Sequence, residues 1–275
     1  MNAPRPAMTG FFDGAENAAC QDFLDSGYVI RPAADPEALT RLRDHIARSA
    51  ASHLGLSEPV DADTFLNQVH RSVSVAELNA LRLAAINAIN AEPWTRRAYF
   101  EIARDGLELL VGNELVMQRR LNLSIQMPGD DSSLLAAHAD VYDGDSPYEV
   151  VVWLPLVDCY DSKSMFLLPP QANARAEAAF GRYQSGSTED LYADVEEDLT
   201  WIDIPFGHYL LFNQNLIHGN RINREGETRW SMNCRFKSVF SPYAGKRLGE
   251  FFEPITLRPA SRIGMQHELP ERFHE

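Results

Sequence analysis

Three things are scarce in this chain of 275 residues, and each scarcity excludes a class of protein. There are only 3 cysteines, Cys20, Cys159 and Cys234, widely separated and without a CxxC pair. Neither a disulfide framework nor a thiolate zinc site follows from them, and they read as small core residues. No stretch approaches the roughly 18 apolar residues of a membrane span. The N-terminal residues Met1 to Gly10 lack the basic-then-apolar order of a secretion signal, so a cytoplasmic location is expected. Basic charge is also in deficit: 25 Lys and Arg stand against 39 Asp and Glu, a formal net charge of -14. That balance argues against nucleic acid or an anionic membrane as the principal partner and leaves a small molecule, for which local basic pockets remain compatible.

What is present is enough apolar residue, 45 % of the chain, to bury one large core, so a single domain over residues 1–275 is expected. No repeat is visible, and low complexity is confined to a loose start over residues 1–17. The organisation is mainly β, preceded by helices. Residues 1–116 read as helical support: a short helix over Gln21 to Gly27, a strand over Tyr28 to Arg31, and amphipathic helices over Pro36 to His53, Val75 to Ala91 and Pro93 to about Val111. From Met117 the period becomes alternating, and residues 117–257 read as a β core, with a tail over 258–275. Glu149 to Val157 is apolar on both faces and reads as a central buried strand, and Ile202 to Ile217 supplies at least one more. Between them, residues 171–197 read as an acidic helical insertion, a solvated lid or spacer.

Two strands carry unusual polar faces. Arg120, Asn122, Ser124 and Gln126 alternate with Leu121, Leu123, Ile125 and Met127, and Arg229, Ser231, Asn233 and Arg235 alternate with Trp230, Met232, Cys234 and Phe236. Arg, Asn, Ser and Gln in place of Lys and Glu suit a polar cavity inside a barrel better than an open sheet. Arg120, Gln126 and Arg235 are candidates for holding a co-substrate or a polar substrate, Gln126 being placed with the co-substrate, or are satisfied by neighbouring carboxylates. Trp153 reads as core.

His138 and Asp140 lie two residues apart, which on an extended segment puts an imidazole and a carboxylate on one side, within reach of one ion. His218, at a strand end before Gly219, can supply the third ligand. Two His and one carboxylate on one face of an octahedral ion leave three positions open, the arrangement of non-haem Fe(II) oxygenases. His45, His53, His70, His208, His267 and His274 are assigned no ligand role. Arg229 begins eleven residues after His218, with the turn-like Asn223 to Gly226 between, a spacing that reads as a hairpin. On it Arg229 would present its planar fork, and Ser231 a hydroxyl, to a carboxylate; 2-oxoglutarate fits, with its keto acid on the metal and its distal carboxylate on Arg229 and Ser231. The alternatives for the two residues are a surface ion pair and an ordinary strand hydroxyl.

The runs HADVYDGDSPYEVVVWLPLVDCYDSKSMFLLP and FGHYLLFNQNLIHGNRINREGETRWSMNCRFKSVFSPY together resemble the Fe(II)/2-oxoglutarate oxygenases of the phytanoyl-CoA dioxygenase-like kind, in the order HxD, distal His, RxS. More narrowly, Ser146 to Glu149, the LIHGN run and the ending FKSVFSPY through EFFEPI resemble the sporadic carbohydrate cluster oxygenases, bacterial enzymes encoded among sugar biosynthesis genes. The resemblance covers about Met117 to Ile255, and Phe23 to Arg48 as a shared layout. It implies a double-stranded β-helix (a jelly roll, cupin-like), iron ligands His138, Asp140 and His218, and distal-carboxylate ligands Arg229 and Ser231. It also implies dioxygen as the second co-substrate and hydroxylation as the outcome, since a halogenating site would carry a small residue in place of Asp140. The chain departs from the family where many relatives have a glycine-rich turn ending PGSH; here Ser164 to Pro170 reads SMFLLPP, at the rim of the pocket. Two other readings use the same barrel: a metal-dependent sugar isomerase or epimerase, which would not need Arg229, and a catalytically silent ligand-binding jelly roll.

Overall fold

The computed structural model describes residues 10–59, 61–183 and 187–268. Five helices occupy its N-terminal half: α1 Gly14–Ser26, α2 Pro36–His53, α3 Ala62–Gln68, α4 Val75–Ala91 and α5 Pro93–Leu110, with strand β1 Tyr28–Pro32 between the first two. Their ends follow from local chemistry. Asp35 caps α2 by accepting from the Ala38 amide, Pro36 opens its first turn, and Leu39, Leu42, Ile46 and Ala50 bury one face. Ser74 and Glu77 form a capping box at the start of α4, which buries Leu78, Leu81, Ala85 and Ile89. Helix α1 starts earlier than the apolar pattern predicts, because Asp13 and Glu16 form a capping box there, and it stops at Gly27, φ 81°. A side chain at Gly27 would also collide with Leu216, so glycine is required by both backbone and space.

The C-terminal half supplies β2 Leu115–Gln118, β3 Asn122–Gln126, β4 Val150–Pro155, β5 Phe166–Leu167, α6 Pro170–Ala178, α7 Thr188–Val195, β6 Thr200–Trp201, β7 His208–Asn213, β8 His218–Gly219, β9 Arg229–Ser238, β10 Phe252–Pro254 and α8 Pro259–Gln266. Two antiparallel sheets result. The larger runs β1-β7-β4-β9-β2-β10, and β3 continues the β2 edge of β9. Residues 119–121 interrupt what would otherwise be one long partner of β9: Met117 pairs with Phe236 and Asn122 with Asn233. The smaller sheet runs β6-β5-β8.

Helices α2, α4 and α5 pack together, and α4 and α5 meet the large sheet at β3 and β7. Buried bonds fix the docking. The Tyr99 hydroxyl on α5 donates to the Val152 carbonyl at 2.8 Å, and the Trp230 indole on β9 donates to the Leu66 carbonyl of α3 at 3.0 Å. At Gly106 a Cβ would overlap the Tyr209 hydroxyl, to which the Gly106 amide donates at 3.1 Å, so glycine lets α5 settle on β7.

Two expectations are corrected here. The insertion is helical, but it is no solvated spacer: Ala172, Ala176, Leu191, Tyr192 and Val195 pack on Phe166, Leu168, Ala137, Ala139 and Ile217, forming a second core behind the small sheet. The segment from His218 to Arg229 is no hairpin. β8 pairs with β5 in the small sheet, and β9 pairs with β3 and β4 in the large one, so the chain crosses from one sheet to the other. Among the described residues no helix is long and apolar enough to cross a membrane.

Candidate metal centre and cavity

The small sheet positions one histidine directly and captures the other. The segment preceding Asp140 forms a two-way bridge with β8, the His138 amide donating to the His218 carbonyl at 3.0 Å and the His218 amide to the His138 carbonyl at 2.8 Å. The two rings therefore lie side by side, centroids 4.4 Å apart and planes tilted by 49°. Asp140 opens a short 3-10 turn whose first amide donates to the Gln214 carbonyl at 3.2 Å, which swings its carboxylate back toward both imidazoles. Asp140 Oδ1 stands 3.4 Å from His138 Nε2 and 3.8 Å from His218 Nε2. One donor atom from each of the three residues lies within 4.8 Å of the others. An ion about 2.1 Å from three donors on one octahedral face would set those donors about 3 Å apart, so the three residues fit such an ion after an inward movement of the side chains.

The hydrogen bonds behind these atoms favour metal over proton. Nδ1 of His138 faces the Ala136 carbonyl at 2.8 Å, and Nδ1 of His218 faces the Leu216 carbonyl at 2.8 Å. A carbonyl only accepts, so each Nδ1 carries the hydrogen and each Nε2 keeps a lone pair aimed at the shared space. Burial, helped by the charge of His138, pushes His218 down to about 4, which keeps it neutral at physiological pH. Burial also works against the charged form of His138, but the bond to Asp140 and the Ala136 carbonyl outweigh it and raise its pKa. Burial alone would raise Asp140; the His138 bond and the charges of His218 and Arg235 override it and hold the carboxyl well below the usual range. The far oxygen of Asp140 accepts from Arg235 at 2.6 Å, and Arg235 reaches Asp145 at 3.4 Å, itself paired with Lys246.

These groups open onto a cavity of about 430 Å³. The polar face of β3 and β9 also lines it, with Asn122 bonded to Asn233 at 3.0 Å and Arg229 among the lining residues. This guanidinium is 3 % exposed. It donates to the Ser164 carbonyl at 2.9 Å and to Ser124 Oγ at 3.0 Å, yet it has no carboxylate partner among the described residues. Its Nε, together with Ser164 Oγ and Ser231 Oγ, is buried without a hydrogen-bond partner. Burial lowers its pKa to about 10, still cationic at neutral pH. A buried charge without a counter-charge is costly, so the arrangement calls for an anion.

No family model matches the chain, and no curated protein does. Solved structures do. A non-haem monooxygenase, ThoJ, in its nickel complex is 19 % identical over 94 % of this chain and 89 % of its own, with a TM-score of 0.52. The two share a fold. EctD from S. alaskensis, solved with 2-oxoglutarate and 5-hydroxyectoine, is 16 % identical over 86 % of this chain and 80 % of its own, with a TM-score of 0.54. At such identities the likeness concerns architecture alone.

The cavity sorts the remaining candidates. Arg235 meets the metal cluster and is satisfied by carboxylates. Ser231 is buried beside Ser124 in the cross-strand register but does not line the cavity. Gln126 does not reach the cavity either: fully buried, its amide donates to the Arg221 carbonyl. Arg120 lies beyond the end of β3, exposed, against Asn87 at 3.4 Å, because the interruption at 119–121 breaks the alternation that placed it with Asn122. Trp153, read as core, is 5 % exposed and lines the cavity. Among the other histidines, His45 faces the Ala88 carbonyl at 3.4 Å and His70 faces Thr228 Oγ1 at 2.9 Å, and His274 lies outside the described residues. Two cavity residues have no role assigned from the sequence. Arg82 interrupts the apolar spacing of α4 as any exposed helix residue would, and Asn220 looks like a turn residue, although its side chain ties β8 to the Leu135 amide at 2.6 Å.

Proposed function

We propose that the chain is a mononuclear non-haem iron(II) oxygenase with 2-oxoglutarate and dioxygen as co-substrates, built on a double-stranded β-helix and hydroxylating a small polar molecule. The resemblance to carbohydrate-cluster enzymes makes a sugar-derived intermediate the first substrate to try. One observation carries the reading: the His138, Asp140 and His218 cluster shares its cavity with a buried guanidinium, Arg229, that has no counter-charge among the described residues. A silent binding protein needs no lone-pair convergence, and an isomerase needs no Arg229.

In this reading His138, Asp140 and His218 hold the iron, which when bound supplies redox chemistry with dioxygen and three open positions. The protein's part is placement. The Ala136 and Leu216 carbonyls fix the two rings, and Arg235 holds the second oxygen of Asp140 so that the first faces both Nε2 atoms. Arg229 takes the distal carboxylate of 2-oxoglutarate, and the unpartnered hydroxyls of Ser231 and Ser164 stand behind it as reserve donors. Trp153, Met165 and Phe212 line the cavity and limit water near the centre. Asn122 and Asn233 offer neutral hydrogen bonds to a polar substrate.

The test is anaerobic. Fe(II) is expected to bind one per chain, and 2-oxoglutarate to add a weak visible charge-transfer band. A protein that binds Fe(II) but gives no band refutes the co-substrate, and one that binds neither refutes the enzyme.

A further inference from the structure

The charge lining the cavity is lopsided. In a protein of net charge -14, the lining carries three guanidinium groups, from Arg82, Arg229 and Arg235, and a single carboxylate, Asp140. Two of the three cations are accounted for. Arg235 lies between Asp140 and Asp145, and Arg229 takes the co-substrate in the reading above. Arg82 is left over. It reaches the cavity from α4, half-buried, and donates to the Ile125 carbonyl at 3.3 Å, to Ser133 Oγ at 2.7 Å and to Asn79 Oδ1 at 3.5 Å. All three are neutral acceptors, and no ion pair to Arg82 occurs among the described residues. The charge of Asp130 does act on Arg82, but this carboxylate is buried, does not line the cavity, and accepts from the Ser132 amide at 2.8 Å and from Ser133 Oγ at 3.0 Å. Ser133 thus stands between the two charges and holds the guanidinium in place while its remaining N–H groups stay free.

We propose that Arg82 is the substrate-recognition residue of this cavity, and that the substrate carries an oxyanion, a carboxylate or a phosphate monoester, that pairs with it. The inference rests on the oxygenase reading and narrows its substrate class. Charge balance supports it. With Arg235 set against Asp145, iron(II), Asp140, Arg229 and a 2-oxoglutarate dianion sum to zero; Asp130 lies outside the lining, so a second anion is what a cavity carrying the Arg82 guanidinium selects. Arg82 and Arg229 also act on one another as like charges, which a single distal carboxylate would relieve only if both gripped it; the experiment separates that case.

The probes are matched pairs: N-acetylglycine and its amide, and glycerol 3-phosphate and glycerol. They are titrated into the anaerobic Fe(II)–2-oxoglutarate protein by the shift of its visible band, and into the metal-free protein by tryptophan fluorescence, Trp153 lining the cavity. One acid is expected to bind about ten- to a hundredfold tighter than its neutral partner; which acid does so distinguishes carboxylate from phosphate. In Arg82→Gln that preference should collapse, while the affinity for 2-oxoglutarate stays within about twofold. Arg82→Lys should restore part of the preference; a merely structural Arg82 would give no charge-specific effect. Equal response to acid and neutral probe, no response to either acid, or a preference that survives Arg82→Gln overturns the proposal. So does a 2-oxoglutarate affinity that falls in Arg82→Gln as it does in Arg229→Ala, which would assign both arginines to the co-substrate. Absence of the band in the unmodified protein strikes the oxygenase reading instead, and the fluorescence arm still decides whether Arg82 selects anions.

Discussion

Replacing Arg229 by methionine tests the co-substrate site through a cycle whose magnitude follows from the structure. A guanidinium has five N–H donors. Two of them are engaged, by the Ser164 carbonyl and by Ser124 Oγ, which leaves three, including the unpartnered Nε, for a carboxylate in the cavity. Truncating one partner of a buried, hydrogen-bonded charge pair costs about 2–5 kcal/mol. The dissociation constant of 2-oxoglutarate should therefore rise roughly 30- to 4,000-fold in Arg229→Met, read anaerobically from the charge-transfer band. The same contact can be removed from the other side with 2-oxobutanoate, which keeps the keto acid and lacks the distal carboxylate. In the unmodified protein this ligand should lose as much as the variant does, and in the variant the two keto acids should bind alike. The variant should still fold: it strands the Ser164 carbonyl and the Ser124 hydroxyl, but it removes a buried unpaired charge, and terms of about 1–3 kcal/mol oppose each other. Thermal unfolding gives an independent readout. At a hundred times its dissociation constant, 2-oxoglutarate adds about 2.7 kcal/mol, or roughly 5–10 °C for a chain of this size, and the variant should lose about two thirds of that shift or more at the same concentration. A variant that binds 2-oxoglutarate within about threefold of the unmodified protein, far below the lower bound, refutes the assignment.

Other outcomes follow from the same coordinates. Asp140→Ala should retain its circular dichroism and lose tight Fe(II) binding; unchanged iron affinity would remove that carboxylate from the shell. Asp145→Asn, which touches no metal donor but weakens the hold on Arg235, should lower Fe(II) affinity about 10- to 100-fold by calorimetry, and an unchanged value would deny Arg235 its positioning role. Gly219→Ala would place a Cβ 2.6 Å from the Leu135 carbonyl and 2.9 Å from Phe166 Cζ, directly after His218, so iron binding and thermal stability should fall together. Leu191→Ala should cost about 2–5 kcal/mol in denaturant unfolding if the insertion is core, and near nothing if it is a spacer.

The helical half was legible to the residue where two signals coincide. α2 and α5 each open on a proline, α4 on a capping box, and α2 and α4 continue with apolar residues three and four apart. Where only one signal exists the reading fails: α1 buries no residue, so its apolar pattern is faint and only the Asp13–Glu16 cap marks its start, and α3 has seven residues, too few to show a period. The polar faces of β3 and β9 were legible because alternation is local, and they do face the cavity at Asn122, Ser124, Arg229 and Asn233. Arg120 and Gln126, counted on the same face, fall away at either end, where the strand stops or the side chain finds a backbone partner. Arg82 was illegible for a deeper reason: a lone arginine on an amphipathic helix reads as a solvated residue until the fold brings β3 and the 130–135 loop against it.

The misread hairpin shows where local chemistry ends. Asn223 to Gly226 does turn, with the Glu225 amide donating to Asn223 Oδ1 at 3.0 Å, and eleven residues suit a hairpin as well as a crossing. What decides is the far partner of each end. His218 is claimed by the segment before Asp140 and by β5, Arg229 by β3 and β4, and the buried Asn223 amide, donating to the Gln126 carbonyl at 3.3 Å and the Glu227 carbonyl at 2.8 Å, pins the crossing between them. None of these partners lies within the loop, so no reading of the loop could have found them. The difference matters for function, because a hairpin would set His218 and Arg229 side by side in one sheet, where a co-substrate could only lie along the surface. The crossing assigns them to different sheets, β8 with β5 in the small one and β9 with β3 and β4 in the large one, and both residues line one cavity.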